Sequence, residues 1–142
     1  MRVEPYLDFN GRCDEAVEFY KKTLGAEVLM LMRFKDAPPA TAGGCQVTPG
    51  TENKVMHASM KIGETTVMAS DGRCTGQTNF AGISLSLGAS NDAQAAKLFA
   101  GLSDGGKVCV PLSKTFFASS FGMVSDKFGV MWMVIAGQQG HE

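Results

Sequence analysis

The chain predicts an α+β fold: two β-α-β-β-β modules forming curved, mostly antiparallel sheet, with helices on the convex face. Three observations carry this. A similar order of elements is read twice along the chain. Strand-sized segments far outnumber helical ones, which argues against a doubly wound parallel sheet. The stretch Gly122-Met-Val-Ser-Asp-Lys-Phe-Gly-Val-Met-Trp-Met-Val-Ile135 reads as two strands joined by a tight turn.

In the first module, residues 3–9 form a short strand that Asn10-Gly11 ends. Asp14 is the expected N-cap of a helix through Leu24, with Val17, Tyr20 and Leu24 on one face. Gly25 takes the C′ role. Residues 27–34 form the next strand. Residues 35–53 are rich in Pro, Gly and Thr and show no period. A loop of that length serves either as a lid or partner-contacting arm, or as a surface insertion. Strands at 54–62 and 65–70 then pair across Gly63-Glu64.

The second module opens with a strand at 83–87. Asn91 or Asp92 caps a helix reaching Leu102, with Ala95, Leu98 and Leu102 on one face. Asp14, Val17, Tyr20 and Leu24 match Asp92, Ala95, Leu98 and Leu102 at a fixed offset of 78 residues. Asp104-Gly105-Gly106 ends the helix, and strands follow near 107–112, 121–125 and 130–136. The expected organisation is one domain of two modules, residues 1–72 and 80–137, with a tail at 138–142.

The 142 residues are 44% hydrophobic and 19% charged, within the globular range, and the net charge of −1 gives no long-range pull toward nucleic acid or an anionic membrane. The apolar runs are too short to span a bilayer, and the first residues lack a signal-peptide core. A cytoplasmic location is expected, without nucleic-acid or membrane partners. The four cysteines, Cys13, Cys45, Cys74 and Cys109, form no Cys-x-x-Cys pair, so free thiols are expected. Cys13 and Cys74 each follow an arginine, a weak pointer to reactivity beside the plainer reading of buried or loop thiols.

Alternation assigns the faces. Ile83, Leu85 and Leu87 share one face, while Gly82, Ser84 and Ser86 share the other. Met56, Ala58, Met60 and Ile62 oppose Val55, His57, Ser59 and Lys61. A curved sheet with one apolar and one mixed-polar face suits a small ligand.

These segments resemble the vicinal oxygen chelate superfamily of glyoxalase I and the fosfomycin and bleomycin resistance proteins, and within it the PhnB-like branch. The resemblance rests on Pro5-Tyr-Leu-Asp-Phe-Asn-Gly, Ala16-Val-Glu-Phe-Tyr-Lys-Lys-Thr-Leu-Gly25, Val55-Met-His-Ala58, Met68-Ala-Ser-Asp71, Ile83-Ser-Leu-Ser-Leu87, Gly105-Gly-Lys-Val108 and Phe121-Gly-Met-Val-Ser-Asp-Lys-Phe-Gly-Val130. Together they span nearly the whole chain. The branch often shows Phe-Trp where this chain has Phe116-Phe117. The resemblance implies a glyoxalase/bleomycin resistance fold and a homodimer.

It also implies where metal-dependent members hold their ion: on the first, fourth, fifth and eighth strands. Those positions fall on Pro5, near Met68, near Gly82 and on Met133. None offers a side-chain oxygen or imidazole, so no metal and no cofactor are expected. His57, Asp71 and His141 fall short of a catalytic zinc set. The branch is sometimes labelled a ubiquinone-pathway methyltransferase, but no glycine-rich cofactor loop supports that label.

The candidate pocket residues are His57, Ser59, Met68, Ser70, Ser84, Ser86, Phe117 and Met133. His57 is read either as a ligand or acid–base group, or as a histidine on an exposed face or subunit contact. The methionines either line a pliable pocket or fill the core. Trp132 is expected to pack beneath a helix. The expected function is binding of a small, partly aromatic or amphipathic molecule. A glyoxalase- or dioxygenase-type enzyme with an atypical site using His57, and an interaction module without a small ligand, are the alternatives.

Overall fold

The computed structural model describes residues 1–36, 52–72 and 78–137. Most of the 35–53 loop, Cys45, Cys74, His141 and the 138–142 tail lie outside the described residues. The chain divides into two compact units, Met1–Thr78 and Asn79–Glu142. Among the described residues no helix is long and apolar enough to cross a membrane.

The first unit runs β1 (Tyr6–Asp8), α1 (Cys13–Leu24), β2 (Glu27–Arg33), a single 3-10 turn at Phe34–Asp36, β3 (Val55–Ile62) and β4 (Thr65–Ser70). Its sheet order is β1-β4-β3-β2. β1 lies parallel to β4, and the other two pairs are antiparallel. Alternation buries Ala58, Met60 and Ile62 of β3 and Val67 and Ala69 of β4. Helix α1 packs on β3 and β2, and it buries Cys13, Ala16, Val17, Phe19 and Tyr20. Each aliphatic side chain so buried contributes about 1.5–3 kcal/mol before the entropy of ordering it. The fully buried Tyr20 ring lies 6.2 Å from Phe9 and 5.6 Å from Phe19, in tilted and edge-on contacts. Gly25 ends α1 at φ 69°, where a side chain would be strained.

The second unit runs β5 (Ser84–Gly88), α2 (Asp92–Ser103), β6 (Lys107–Ser113), β7 (Ser120–Ser125) and β8 (Met131–Ala136). The order β5-β8-β7-β6, with β5 parallel to β8, repeats the first sheet. Its core contains Ala95, Phe99, Leu102, Val124, Trp132, Val134 and Ala136. Trp132 is buried, as expected. The two mixed sheets with one helix each are the predicted α+β arrangement.

Three local expectations differ. Arg12, not Asp14, stands at the N-cap of α1, and it makes no side-chain cap. Asp14 sits within the first turn and pairs instead with Arg33 at 2.8 Å. The helices start at Cys13 and Asp92 and end at Leu24 and Ser103, so the repeat offset is 79 rather than 78. Phe99 therefore replaces Leu98 as the matched core residue, opposite Tyr20 in the alignment of the units. Val55 is buried rather than on the open face. A register shift between Met32 and Arg33 breaks the alternation there, and Val55 is tied by its backbone to Asp71.

Candidate functional site

Each sheet has one face under its helix and one face without a helix among the described residues. The helix-free faces are where side chains remain available to a ligand. On the first sheet, cross-strand register sets Tyr6 beside Met68, Met68 beside Ser59, and Ser59 beside Met30. His57 lies opposite Met32. Residues directly opposite across strands have Cβ atoms about 4.5–5.5 Å apart, so these form one continuous surface. Tyr6 and Met30 are exposed; His57, Ser59, Met32 and Met68 are partly covered.

A side-chain hydrogen bond on this face joins Tyr6 Oη and His57 Nδ1 at 3.0 Å. Their ring centroids are 5.5 Å apart. Short β1 reaches this position because it runs parallel to β4, with Met68 N donating to the Pro5 carbonyl at 2.9 Å. Tyr6 lies outside the eight candidate pocket residues. Its signal was present in the odd-even phase of β1, but only the β1–β4 register turns that phase into a neighbour of His57.

The eight sequence candidates divide equally between the units. His57, Ser59 and Met68 gather on the first face. Ser70 shares their phase but is buried, and its hydroxyl accepts from Gly72 N at 3.1 Å. It shapes a turn. On the second sheet Ser84 pairs with Met131, and Ser86 with Met133, which in turn faces Met123. Phe117 lies off the strands, with its ring 5.1 Å from Phe121 at one end of the same face. Six methionines, Met30, Met32, Met68, Met123, Met131 and Met133, thus occupy helix-free faces. Met60 alone of the nine is in the core.

The resemblance implies ion-holding positions at Pro5, near Met68, near Gly82 and at Met133. Pro5 and Gly82 carry no donor side chain, and Met68 and Met133 carry soft thioethers. Asp71, a remaining carboxylate candidate, is committed elsewhere. Its Oδ1 accepts from Gly11 N at 2.8 Å and Cys13 N at 2.7 Å, and its Oδ2 from Val55 N at 2.7 Å. Among the described residues, no three His, Cys, Asp or Glu side chains form a metal-holding group. Cys13 is buried, and desolvation, reinforced by the Asp71 charge, pushes its thiol pKa far up. That is the opposite of what a nucleophile needs.

The fold is shared with solved proteins. A glyoxylase/bleomycin resistance protein/dioxygenase domain from Frankia sp. EAN1pec matches with a TM-score of 0.66 over 99% of this chain and 94% of that one, at 15% identity. The protein therefore has the glyoxalase/bleomycin resistance fold, as the family resemblance implied. Residues 1–135 match the model of the 3-demethylubiquinone-9 3-methyltransferase family, and the chain belongs to that family, the PhnB-like branch. Protein YjdN of Escherichia coli (strain K12) is 33% identical over 138 residues, 94% of each chain. Protein PA1353 from Pseudomonas aeruginosa is 38% identical, with a TM-score of 0.80 over 98% of this chain and 99% of that one.

Proposed function

We propose that this chain binds a small, partly aromatic or amphipathic molecule on the helix-free face of its first sheet, without a chelated metal. The observation that carries the reading is the Tyr6–His57 hydrogen bond set among Met30, Met32 and Met68. A polar anchor within flexible thioethers suits an apolar ligand with one or two hydrogen-bonding atoms. The residue types at positions 5, 68, 82 and 133 support the absence of a metal. The family's description names a methyl transfer. The chain has no Gly-x-Gly-x-x-Gly after a strand to hold a nucleotide-like donor, so binding is the preferred reading. A homodimer in the cytoplasm completes the proposal, and light scattering tests its stoichiometry.

Thermal-shift screening against a broad panel of metabolites and antibiotics tests the binding. A true ligand at a hundredfold excess over its Kd adds about 2.7 kcal/mol, which raises Tm by several degrees. Silence across the panel sinks the proposal. Stoichiometric zinc, nickel, manganese or iron surviving dialysis overturns the metal-free part of it.

A further inference from the structure

Two proton arrangements fit the 3.0 Å contact between Tyr6 Oη and His57 Nδ1. A phenol is a good donor and a poor acceptor, whereas the bare nitrogen of a neutral imidazole is a good acceptor. The phenol therefore donates, and the imidazole proton is left on Nε2. We propose that Tyr6 holds neutral His57 as its Nε2–H tautomer, and that this face thereby selects an uncharged, conjugated molecule bearing a carbonyl-type oxygen. The inference rests on the reading of this face as a ligand surface, and it names the ligand class.

Each part of that class has its own cause. The acceptor oxygen follows from the donors: His57 Nε2–H and the Ser59 hydroxyl lie two residues apart on one side of β3, about 7 Å along the strand. Conjugation follows from the thioethers of Met30, Met32 and Met68, whose polarisable sulfurs favour contact with a ring. Absence of charge follows from the ionic groups at hand. Lys61 stands directly opposite Glu27 across the β2–β3 pair, so one charge of each sign stands together at that end of the sheet. Asp8 lies in phase with Tyr6, and its Oδ1 accepts from Asn10 N at 2.9 Å. Among the described residues, these charges are of both signs, with no cluster of one sign to favour an anion or a cation.

The matched probes are 1-tetralone and tetralin, which differ in the carbonyl alone. Binding is read from 13C-methyl methionine spectra, and the tautomer from imidazole 15N shifts in a His141→Gln background that leaves a single histidine. The ketone is expected to bind the parent protein roughly three- to tenfold more tightly than the hydrocarbon, the yield of one net hydrogen bond. His57→Phe removes that preference. Tyr6→Phe shrinks it and converts a single Nε2–H signal into a tautomer mixture, which a merely structural tyrosine would not do. Cys13 that stays slow toward iodoacetamide verifies that both variants keep the first unit folded. An Nδ1–H tautomer in the parent, or equal affinity for both probes while other panel compounds bind, overturns the inference alone. If neither probe nor any panel compound binds, the ligand reading falls and takes the inference with it.

Discussion

The two units begin their helices by different means. Helix α2 is capped locally. The Asn91 side chain accepts from Gln94 N at 2.8 Å, and the Gln94 side chain accepts in return from Ser90 N. Helix α1 has Arg12 at the same place and no side-chain cap. The N-terminal donors there, Gly11 N and Cys13 N, are met by Asp71, a carboxylate just past the end of β4 that also holds Val55 N. The same module thus tolerates a cap supplied within five residues and one supplied from nearly sixty residues away. A local cap lowers the cost of starting a helix before any sheet exists. A remote one acts only once β3 and β4 are in place, so α1 depends on long-range contacts of the kind that slow folding.

That contrast is broken most directly by removing each cap. Asp71→Ala strips three backbone N–H groups of a charged acceptor, two of these bonds being buried. It should cost about 3–5 kcal/mol in urea unfolding. Asn91→Ala removes one exposed bond and should cost about 1 kcal/mol. Equal losses would show that the distant carboxylate is no more than an ordinary cap.

The spread of the damage sharpens the comparison. Trp132, the only tryptophan, donates to Asp126 Oδ2 at 2.9 Å and reports the second unit. Cys13, buried at the start of α1, reports the first. Iodoacetamide should label the exposed Cys109 readily in the native protein and Cys13 about a hundredfold or more slowly, since Cys13 must wait for local opening. In Asp71→Ala, Cys13 labelling should precede the change in Trp132 fluorescence as urea rises. Coincident transitions would mean that the remote cap supports both units equally.

What could be read from the sequence follows the same division between local and distant causes. The Gly25 cap, the Asn91 cap and the hairpin at Gly63-Glu64 rest on neighbours within a few residues, and each stands where local rules put it. So does the Asp-Lys-Phe-Gly turn, where Asp126 Oδ1 accepts from Phe128 N at 2.9 Å and Val130 N at 3.0 Å. The role of Asp71 was hidden because its partners are backbone groups, which carry no residue signature. Asp14 obeyed the local capping rule on paper and lost the position to a better-placed acceptor. Leu98 and Phe99 both satisfied a helical period. The choice between them lay in Gly122, where an added Cβ would stand 2.6 Å from Phe99 Cε1 and 3.0 Å from Leu112 Cα. Only the strand pairing brings that missing side chain under the ring. At the site, alternation points to His57 and Ser59 and the family resemblance to Met68, whereas Tyr6 requires the parallel register of a three-residue strand.

The smallest expected effect lies in the first turns themselves. Asp14 and Asp92 both have depressed pKa values. For Asp14 the leading cause is its hydrogen bonds with the Arg33 guanidinium, at 2.8 and 2.9 Å. For Asp92 the causes are the Ser119 and Ser120 hydroxyls, at 2.6 and 2.7 Å. A carboxylate with a lower pKa when folded than when unfolded stabilises the fold above the unfolded value, near 3.8, and that stability is lost as pH falls through the folded value. The Asp14 contribution is that of a half-exposed ion pair, about 0.2–1 kcal/mol, and Asp14→Asn should flatten the acid limb of the stability curve by that amount. Salt separates the two causes. The Arg33 charge is screened at about 1 M ionic strength, whereas a hydroxyl dipole in direct contact is not. Carboxyl NMR titration should therefore show the Asp14 pKa rising toward its ordinary value in high salt while that of Asp92 stays low. If both rise together, the serine hydroxyls do not hold Asp92, and both first turns answer to long-range charge alone.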